Sequence, residues 1–179
     1  MKLLYRVIFF KILKWKLIGN IDPQIKKCVV IVAPHTSWFD FFLGLMVRRL
    51  LDLEINFIAK RELFKPPFGW YFRWVGGAPL DRTPNQNKVE AITRIFQNRE
   101  IFRLAMSPEG TRQKTERWKT GFYYIARASK IPIIKVAFDY GVKEVRISKP
   151  FYTTEDTEKD IEKILSFYDG VTGKKPENF

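Results

Sequence analysis

Residues 28–33 read Cys-Val-Val-Ile-Val-Ala, an unbroken apolar run rich in β-branched side chains, which stops at Pro34-His35-Thr36-Ser37. Successive side chains of a strand point to opposite faces of the sheet, so a strand that is apolar at every position needs apolar cover on both sides. That is the environment of a central strand in a parallel sheet covered by helices. The rest of the chain supplies them. Residues 38–51 read as a largely apolar helix and 54–59 as a second strand. Residues 63–74, with Pro66-Pro67 and Gly69, read as a turn and a short helix, and 75–80 as a short strand. Residues 85–99 form a helix with Val89, Ile92, Ile95 and Phe96 on one face. A strand over 101–106, a helix over 118–129, strands over 133–138 and 142–147, and a closing helix over 155–168 complete the series. Strands alternating with helices predict an α/β fold, a largely parallel central sheet flanked by helices. In such sheets ligands sit at the carboxyl ends of strands, here the segments after Ala33, after Leu80 and after Met106.

No internal repeat and no Gly-, Ser- or Pro-rich linker interrupts the 179 residues, a length suited to one domain with a real core. With 46% hydrophobic residues the chain is not a disordered basic tail. One cysteine, Cys28, excludes an internal disulfide, and one histidine beside it excludes zinc sites of the finger or ribbon type, so no metal is expected. Lys+Arg 32 against Asp+Glu 19 leaves a net charge of +13, which calls for a polyanionic partner: nucleic acid, an anionic membrane surface or a phosphorylated substrate. The 5 Trp, 7 Tyr and 16 Phe suit single-stranded nucleic acid and a bilayer interface equally.

The first nineteen residues, MKLLYRVIFFKILKWKLIG, are too interrupted by lysine to span a membrane, which needs roughly 20 apolar residues, and no small-residue cleavage site follows them as in a signal peptide. Wound as a helix, Leu4, Tyr5, Ile8, Ile12 and Trp15 share a side free of cations, while Lys2, Arg6, Lys11, Lys14 and Lys16 spread over the rest. Such a helix lies in a membrane interface or packs on its own domain, and periodicity alone fits both.

His35 directly follows the buried strand, and Asp40 stands five residues on. Inside one helix they would be rotated apart by about 140°. They meet if His35 lies in the loop and Asp40 in the first helical turn, which the strand-to-helix junction predicts. A carboxylate on one ring nitrogen fixes the tautomer and stabilises the imidazolium, leaving the other nitrogen as a base for a hydroxyl proton. Ser37-x-x-Asp40 is also a capping-box pattern, in which Asp40 only caps the helix. Asp81-Arg82 and Pro108-Glu109-Gly110-Thr111-Arg112 each put an arginine at a strand's carboxyl end, where its fork can bind phosphate and Glu109 can orient it. Gly110 allows a close backbone approach, Thr111 offers a hydroxyl, and Lys60 adds a cation at the same edge. Singly, each of these also reads as an ordinary charged turn or solvated surface.

Taken together, these segments resemble a known family. His35-Thr-Ser-Trp-Phe-Asp40 resembles the H-x4-D motif of the glycerolipid acyltransferases, the 1-acylglycerol-3-phosphate acyltransferase family. Residues 76–82, Gly-Gly-Ala-Pro-Leu-Asp-Arg, resemble its second block, Pro108 to Arg112 match its P-E-G-T-R block, and Ile131-Pro-Ile-Ile-Lys-Val136 resembles its fourth, an apolar strand. All four occur in the family's order, across about residues 28–140. Pro34, Ser107 and Lys135 depart from residues common in the family, and the chain is short for it.

The resemblance implies a glycerol-3-phosphate-acyltransferase-like fold and a direct acyl transfer. His35, oriented by Asp40, deprotonates an acceptor hydroxyl. The hydroxyl oxygen attacks the thioester of acyl-CoA or acyl carrier protein, and no further cofactor is needed. Backbone N–H groups hold the oxyanion, with Lys60 and Gly76 as supports of the oxyanion or of the acyl site. Arg82 and Arg112, with Glu109, Gly110 and Thr111 shaping the loop, hold the phosphate of a lysophospholipid, 1-acylglycerol-3-phosphate first and a lyso-aminolipid or other non-phosphate acceptor as the alternative. Residues 1–19 become a membrane-interface helix and 20–179 a single acyltransferase domain, peripheral on the cytoplasmic face of the cell membrane and in contact with anionic lipids. A basic nucleic-acid-binding module is the rival from another class. The aromatics fall in apolar runs such as Phe39-Asp-Phe41-Phe42, and no RNP-type motif is present, so no nucleic-acid partner is expected.

Overall fold

The side chains of β2 (Lys27–Ala33) alternate between two hydrophobic clusters: Val29, Ile31 and Ala33 belong to one, Cys28 and Val30 to the other. The continuous apolar run is thus a strand covered on both faces. The computed structural model describes residues 2–80 and 88–179, and of Ala59, Lys60 and Leu80 the backbone alone. Seven strands form one sheet among these residues. They are β1 (Lys16–Ile18), β2, β3 (Asn56–Lys60), β4 (Gly77–Leu80), β5 (Phe102–Met106), β6 (Ile133–Asp139) and β7 (Glu144–Ile147), in the order β1-β7-β6-β2-β5-β3-β4. Every pair is parallel except β6–β7.

The helices sort by face. α2 (Phe39–Leu51) covers one side through Leu43 and Val47, together with Phe9 from the N-terminal segment. The other side is covered by α4 (Lys88–Asn98), α5 (Gly121–Ser129) and α6 (Thr157–Leu165). The short α3 (Gly69–Trp74) leads into the edge strand β4. The connection from β2 to β3 passes over β5, and that from β5 to β6 passes back over β2. Two crossovers of the same right hand running in opposite directions place their helices on opposite faces. The chain therefore reverses direction around β2, and the crevice beyond its carboxyl end is the place where such sheets bind ligands.

The N-terminal segment departs from the expected single helix. α1 (Lys2–Arg6) runs on as a π-helical turn (Val7–Ile12), in which Leu13 N–H donates to Ile8 O at 2.8 Å. Lys14 then takes a left-handed conformation, φ 56°, and Lys16–Ile18 pairs in parallel with β7. The reason lies in the partner. The outer edge of β7 offers unpaired backbone groups, and Phe9 and Trp15 are buried beside it. Hydrophobic periodicity registers neither. Leu4 and Ile12, expected to lie with Trp15 on one apolar side, are instead exposed. The other helices start or stop within a few residues of their expected limits, and the last turn of the closing helix is 3-10 (Ser166–Tyr168).

Candidate active site

Three adjacent strands, β6, β2 and β5, end at one edge of the sheet and deliver Tyr140, His35 and Glu109 to neighbouring loops. Asp40 enters from above in the first turn of α2. Its Oδ2 accepts the Ser37 N–H at 2.8 Å and lies 3.4 Å from His35 Nδ1, while its Oδ1 accepts the Tyr140 hydroxyl at 2.6 Å. Asp40 therefore caps the helix and faces the imidazole at once. The side chain of Asp40 is 1% exposed and that of His35 26%, so only the histidine is open to a substrate.

Electrostatics follow from these contacts. Burial pushes the Asp40 carboxyl up, but hydrogen bonds from His35, Tyr140 and the Ser37 N–H outweigh it, and the group is held below its ordinary range. Burial and the facing carboxylate push the Tyr140 phenol well above its ordinary range, so it stays a donor. With Asp40 ionised, the His35 proton belongs on Nδ1 and the Nε2 lone pair faces outward. Arg112 Nε–H donates to that Nε2 at 3.4 Å.

Glu109 takes a different place from the one expected. It is buried, and its Oε1 accepts the backbone N–H of His35 at 2.7 Å instead of orienting Arg112. Its Oε2 has no hydrogen-bond partner among the described residues, and burial raises its carboxyl above the ordinary range. Gly110 is left-handed, φ 67°, and a Cβ there would come within 2.7 Å of Lys119 Nζ, so the glycine admits a lysine against the loop. Thr111 Oγ1 accepts the Gln113 N–H and tightens the same turn.

The remaining expected residues divide. Lys60 ends β3 at the same sheet edge, in register with Leu80. Arg82 lies outside the described residues. Gly76 is not brought to His35: it precedes β4 at the opposite end of the strands, where a Cβ would meet Ile55 O at 2.9 Å. The reason is the parallel pairing of β3 and β4, which sends the residue before one strand and the residue after the other to opposite edges. Cys28 is buried in β2, and burial pushes its thiol up to about 12, away from the thiolate form that a nucleophile needs.

Tyr140, Lys119 and the C-terminal segment were not legible as site residues. Lys174 Nζ stands 3.8 Å over the Phe39 ring, and Lys175 N–H donates to Thr36 Oγ1, so the chain end packs on the His35 loop. Tyr140 carried a usable signal, since it directly follows a buried parallel strand.

From His35 and Asp40 a cavity of about 210 Å³ runs inward between α2 and the sheet. Its walls are mainly apolar and include Phe41, Gly44, Val47 and Phe138. Arg48, in the last turn of α2, lines it as well, and its guanidinium donates to Val75 O beside Gly76. The site thus joins a solvent-accessible imidazole, a cation next to it and an apolar tunnel.

The family model described as Acyltransferase matches residues 17–139. A 1-acyl-sn-glycerol-3-phosphate acyltransferase of Saccharomyces cerevisiae is 31% identical, over 87% of this chain and 56% of its own length. One of Streptococcus pneumoniae is 28% identical, over 71% of this chain and 50% of its own. The chain thus spans about half the length of these curated relatives. Among solved structures, the 1-acyl-sn-glycerophosphate (LPA) acyltransferase PlsC of Thermotoga maritima superposes with a TM-score of 0.61 at 19% identity, covering 93% of this chain and 74% of that one, and so shares the fold.

Proposed function

From a chain that belongs to the acyltransferase family, we propose the transfer of a fatty acyl group from a thioester to the free hydroxyl of a lysophospholipid, 1-acylglycerol-3-phosphate in the first place. The observation that carries this reading is the 3.4 Å between Arg112 Nε and His35 Nε2. A phosphate held by the guanidinium fork would place a hydroxyl two carbons away beside the base. The names of the yeast and pneumococcal relatives support the same acceptor.

In this mechanism the acceptor phosphate draws the Arg112 N–H away from His35, the freed Nε2 takes the hydroxyl proton as the oxygen attacks the thioester carbonyl carbon, and Asp40 stabilises the imidazolium. The new C–O bond forms, the C–S bond breaks, and the departing thiolate takes the proton back from His35. Direct transfer uses no covalent intermediate on the protein and no cofactor beyond the thioester, carried by CoA or acyl carrier protein. The apolar tunnel from His35 to Arg48 would hold the acyl chain.

A lipid acceptor calls for a peripheral position at a bilayer surface, and a donor carried by CoA or acyl carrier protein calls for the cytoplasmic face of the cell membrane. No helix among the described residues is long and apolar enough to cross a membrane. Within residues 1–19, proposed as the membrane-interface segment of a single acyltransferase domain, Leu3, Leu4, Val7 and Ile12 are exposed among Lys2, Lys11 and Lys14.

The test is an acyl-transfer assay read by mass spectrometry, with lysophosphatidate, lysophosphatidylcholine and a lyso-aminolipid as acceptors, and acyl-CoA and acyl carrier protein as donors. Lysophosphatidate should be preferred, and His35→Ala should lose about 10²–10⁴ in rate without loss of fold. A non-phosphorylated acceptor used better than lysophosphatidate would overturn the phosphate reading.

A further inference from the structure

We propose that the exposed aromatic surface running from Trp38 at the start of α2 to Trp74 on α3 docks the protein onto an anionic bilayer at the mouth of the catalytic tunnel. This rests on the reading of the chain as a peripheral enzyme of lipid substrates and names the face that meets the lipid.

Three tryptophans lie open on this side: Trp38, Trp70 and Trp74, at 62%, 70% and 72% exposure, with Phe68 between them in sequence. Tryptophan is a costly side chain to leave in water, and three on one surface need cover. Trp70 and Trp74 are four residues apart on α3 and so share a face. Trp38, the residue before α2, and Phe42 in its first turn do the same, with ring centroids 5.3 Å apart.

The two groups form one surface. Phe42 contacts Phe41 at 5.7 Å, Phe41 contacts Phe72 at 6.4 Å, and Phe72 contacts Tyr71 at 5.8 Å. Tyr71 in turn touches Trp70 at 6.1 Å and Trp74 at 6.2 Å. An unbroken line of rings thus joins α2 to α3. Phe41 is also a wall of the tunnel, and Trp38 stands three residues after His35, so the belt borders the entrance.

Charge decides what covers it. Residues 63–75 carry Lys65 and Arg73 and no acidic residue, in a chain of net charge +13. Lys65 and Arg73 are both exposed. Tryptophan with Lys and Arg is the composition of a membrane–water interface, where rings settle at the headgroups and cations meet lipid phosphates. A bilayer seated there would present a lipid acceptor directly to the tunnel. The N-terminal segment lies on the same side of the sheet but at the other end of α2 from Trp38, where Lys2 pairs with Asp52 at 3.1 Å.

The experiment uses the full chain with vesicles of phosphatidylcholine, with and without phosphatidylglycerol, some carrying brominated acyl chains that quench nearby tryptophan. Compared are the wild type, Trp70→Ser/Trp74→Ser, Leu4→Ser/Ile12→Ser and Trp118→Phe, the last on the opposite layer, where Trp118 packs on Tyr168 at 5.0 Å. The expected result is binding that depends on phosphatidylglycerol and weakens about tenfold or more in the Trp70/Trp74 variant. That variant should also lose most of the quenchable fluorescence, and Trp118→Phe should lose none of it. Thermal stability and turnover on a dispersed short-chain acceptor should be unchanged in the Trp70/Trp74 variant, since both side chains lie outside the core and the tunnel. If the wild type binds and only the N-terminal variant weakens, the belt is overturned while the peripheral reading stands. If the wild type binds neither vesicle, both fall, and loss of acyl carrier protein binding in the Trp70/Trp74 variant would then assign the surface to a protein partner.

Discussion

The Tyr140 hydroxyl donates to Asp40 Oδ1 at 2.6 Å, on the carboxylate oxygen that faces neither His35 nor the Ser37 N–H. The two residues stand 100 positions apart, one beyond the end of β6 and one in the first turn of α2. Tyr140 is held in turn by its backbone N–H on Thr172 O at 2.8 Å and by an edge-to-face contact with Trp15, ring centroids 4.9 Å apart. The orientation of the His35 imidazole thus rests on three distant parts of the chain.

Tyr140→Phe removes one donor from a buried carboxylate and nothing else in volume. A hydrogen bond to a charged group contributes about 1.5–3 kcal/mol, so the variant should lose stability of that order and about tenfold or more in turnover. Asp40 should titrate at a higher pH without this bond, so the stability gap from the wild type should be widest above about pH 4 and narrow on acidification. A gap that does not change with pH would show that Tyr140 only packs.

Asp40→Asn should lower both activity and stability. An amide cannot stabilise an imidazolium, and its NH2 would face either the Ser37 N–H, donor against donor, or the Tyr140 hydroxyl, which would have to turn and accept. The activity loss is expected at about 10²–10⁴-fold and the stability loss at about 1–3 kcal/mol. The folded carboxyl titrates below its ordinary value of about 3.9, so its stabilisation is complete above that pH and is lost as pH falls through the folded value. The difference in Tm between wild type and variant should be widest above about pH 4 and narrow on acidification. Equal specific activity with a lower Tm would leave Asp40 a helix cap alone.

Arg112→Ala should raise the KM for a phosphorylated acceptor and leave that for the thioester donor nearly unchanged. Losing a charged contact of about 1.5–3 kcal/mol corresponds to a loss of about tenfold to a hundredfold in kcat/KM. Arg112→Lys should recover only part of it, because an ammonium cannot reproduce the two-pronged fork. Equal effects on both substrates, measured by steady-state kinetics, would remove Arg112 from the acceptor site.

Gly44 lines the tunnel from α2, and a Cβ there would meet nothing nearer than Phe138 Cζ at 3.9 Å. Gly44→Ala should therefore fold well and gain up to about 1 kcal/mol from helix propensity. Gly44→Leu should fill the tunnel and shift donor preference to shorter acyl chains while the acceptor KM stays level. A chain-length series of acyl-CoA substrates reads this directly, and an unshifted series would place the acyl chain elsewhere.

Removing residues 1–18 should unfold the domain, not merely release it from a surface. The cut takes away β1 together with Phe9 and Trp15, both in the core. Trp15→Ala alone should cost about 3–5 kcal/mol and loosen Tyr140 with it. Thermal melts of the truncated and substituted proteins check this, and a native-like Tm after truncation would refute it.

The strands and most helices were legible because their signal is local. In 28–33 every position is apolar, and in 88–98 Ile92 and Phe96 repeat at helical spacing, so burial on two faces or on one stripe is written into neighbouring residues. His35, Asp40, Glu109 and Arg112 were legible as candidates because strand ends gather at one edge of a parallel sheet. What only the tertiary structure decided are the relations between segments. Lys16–Ile18 is a strand because the edge of β7 lies beside it, which no property of those three residues expresses. Glu109 turned to the backbone of His35, not to an arginine, because β5 and β2 are neighbours and a buried carboxylate takes the nearest free N–H. Tyr140 reached Asp40 because β6 borders β2 on its other side. Local patterning determines which face of each element is buried. The partner of a polar group is set by strand order, which depends on contacts far apart in the chain.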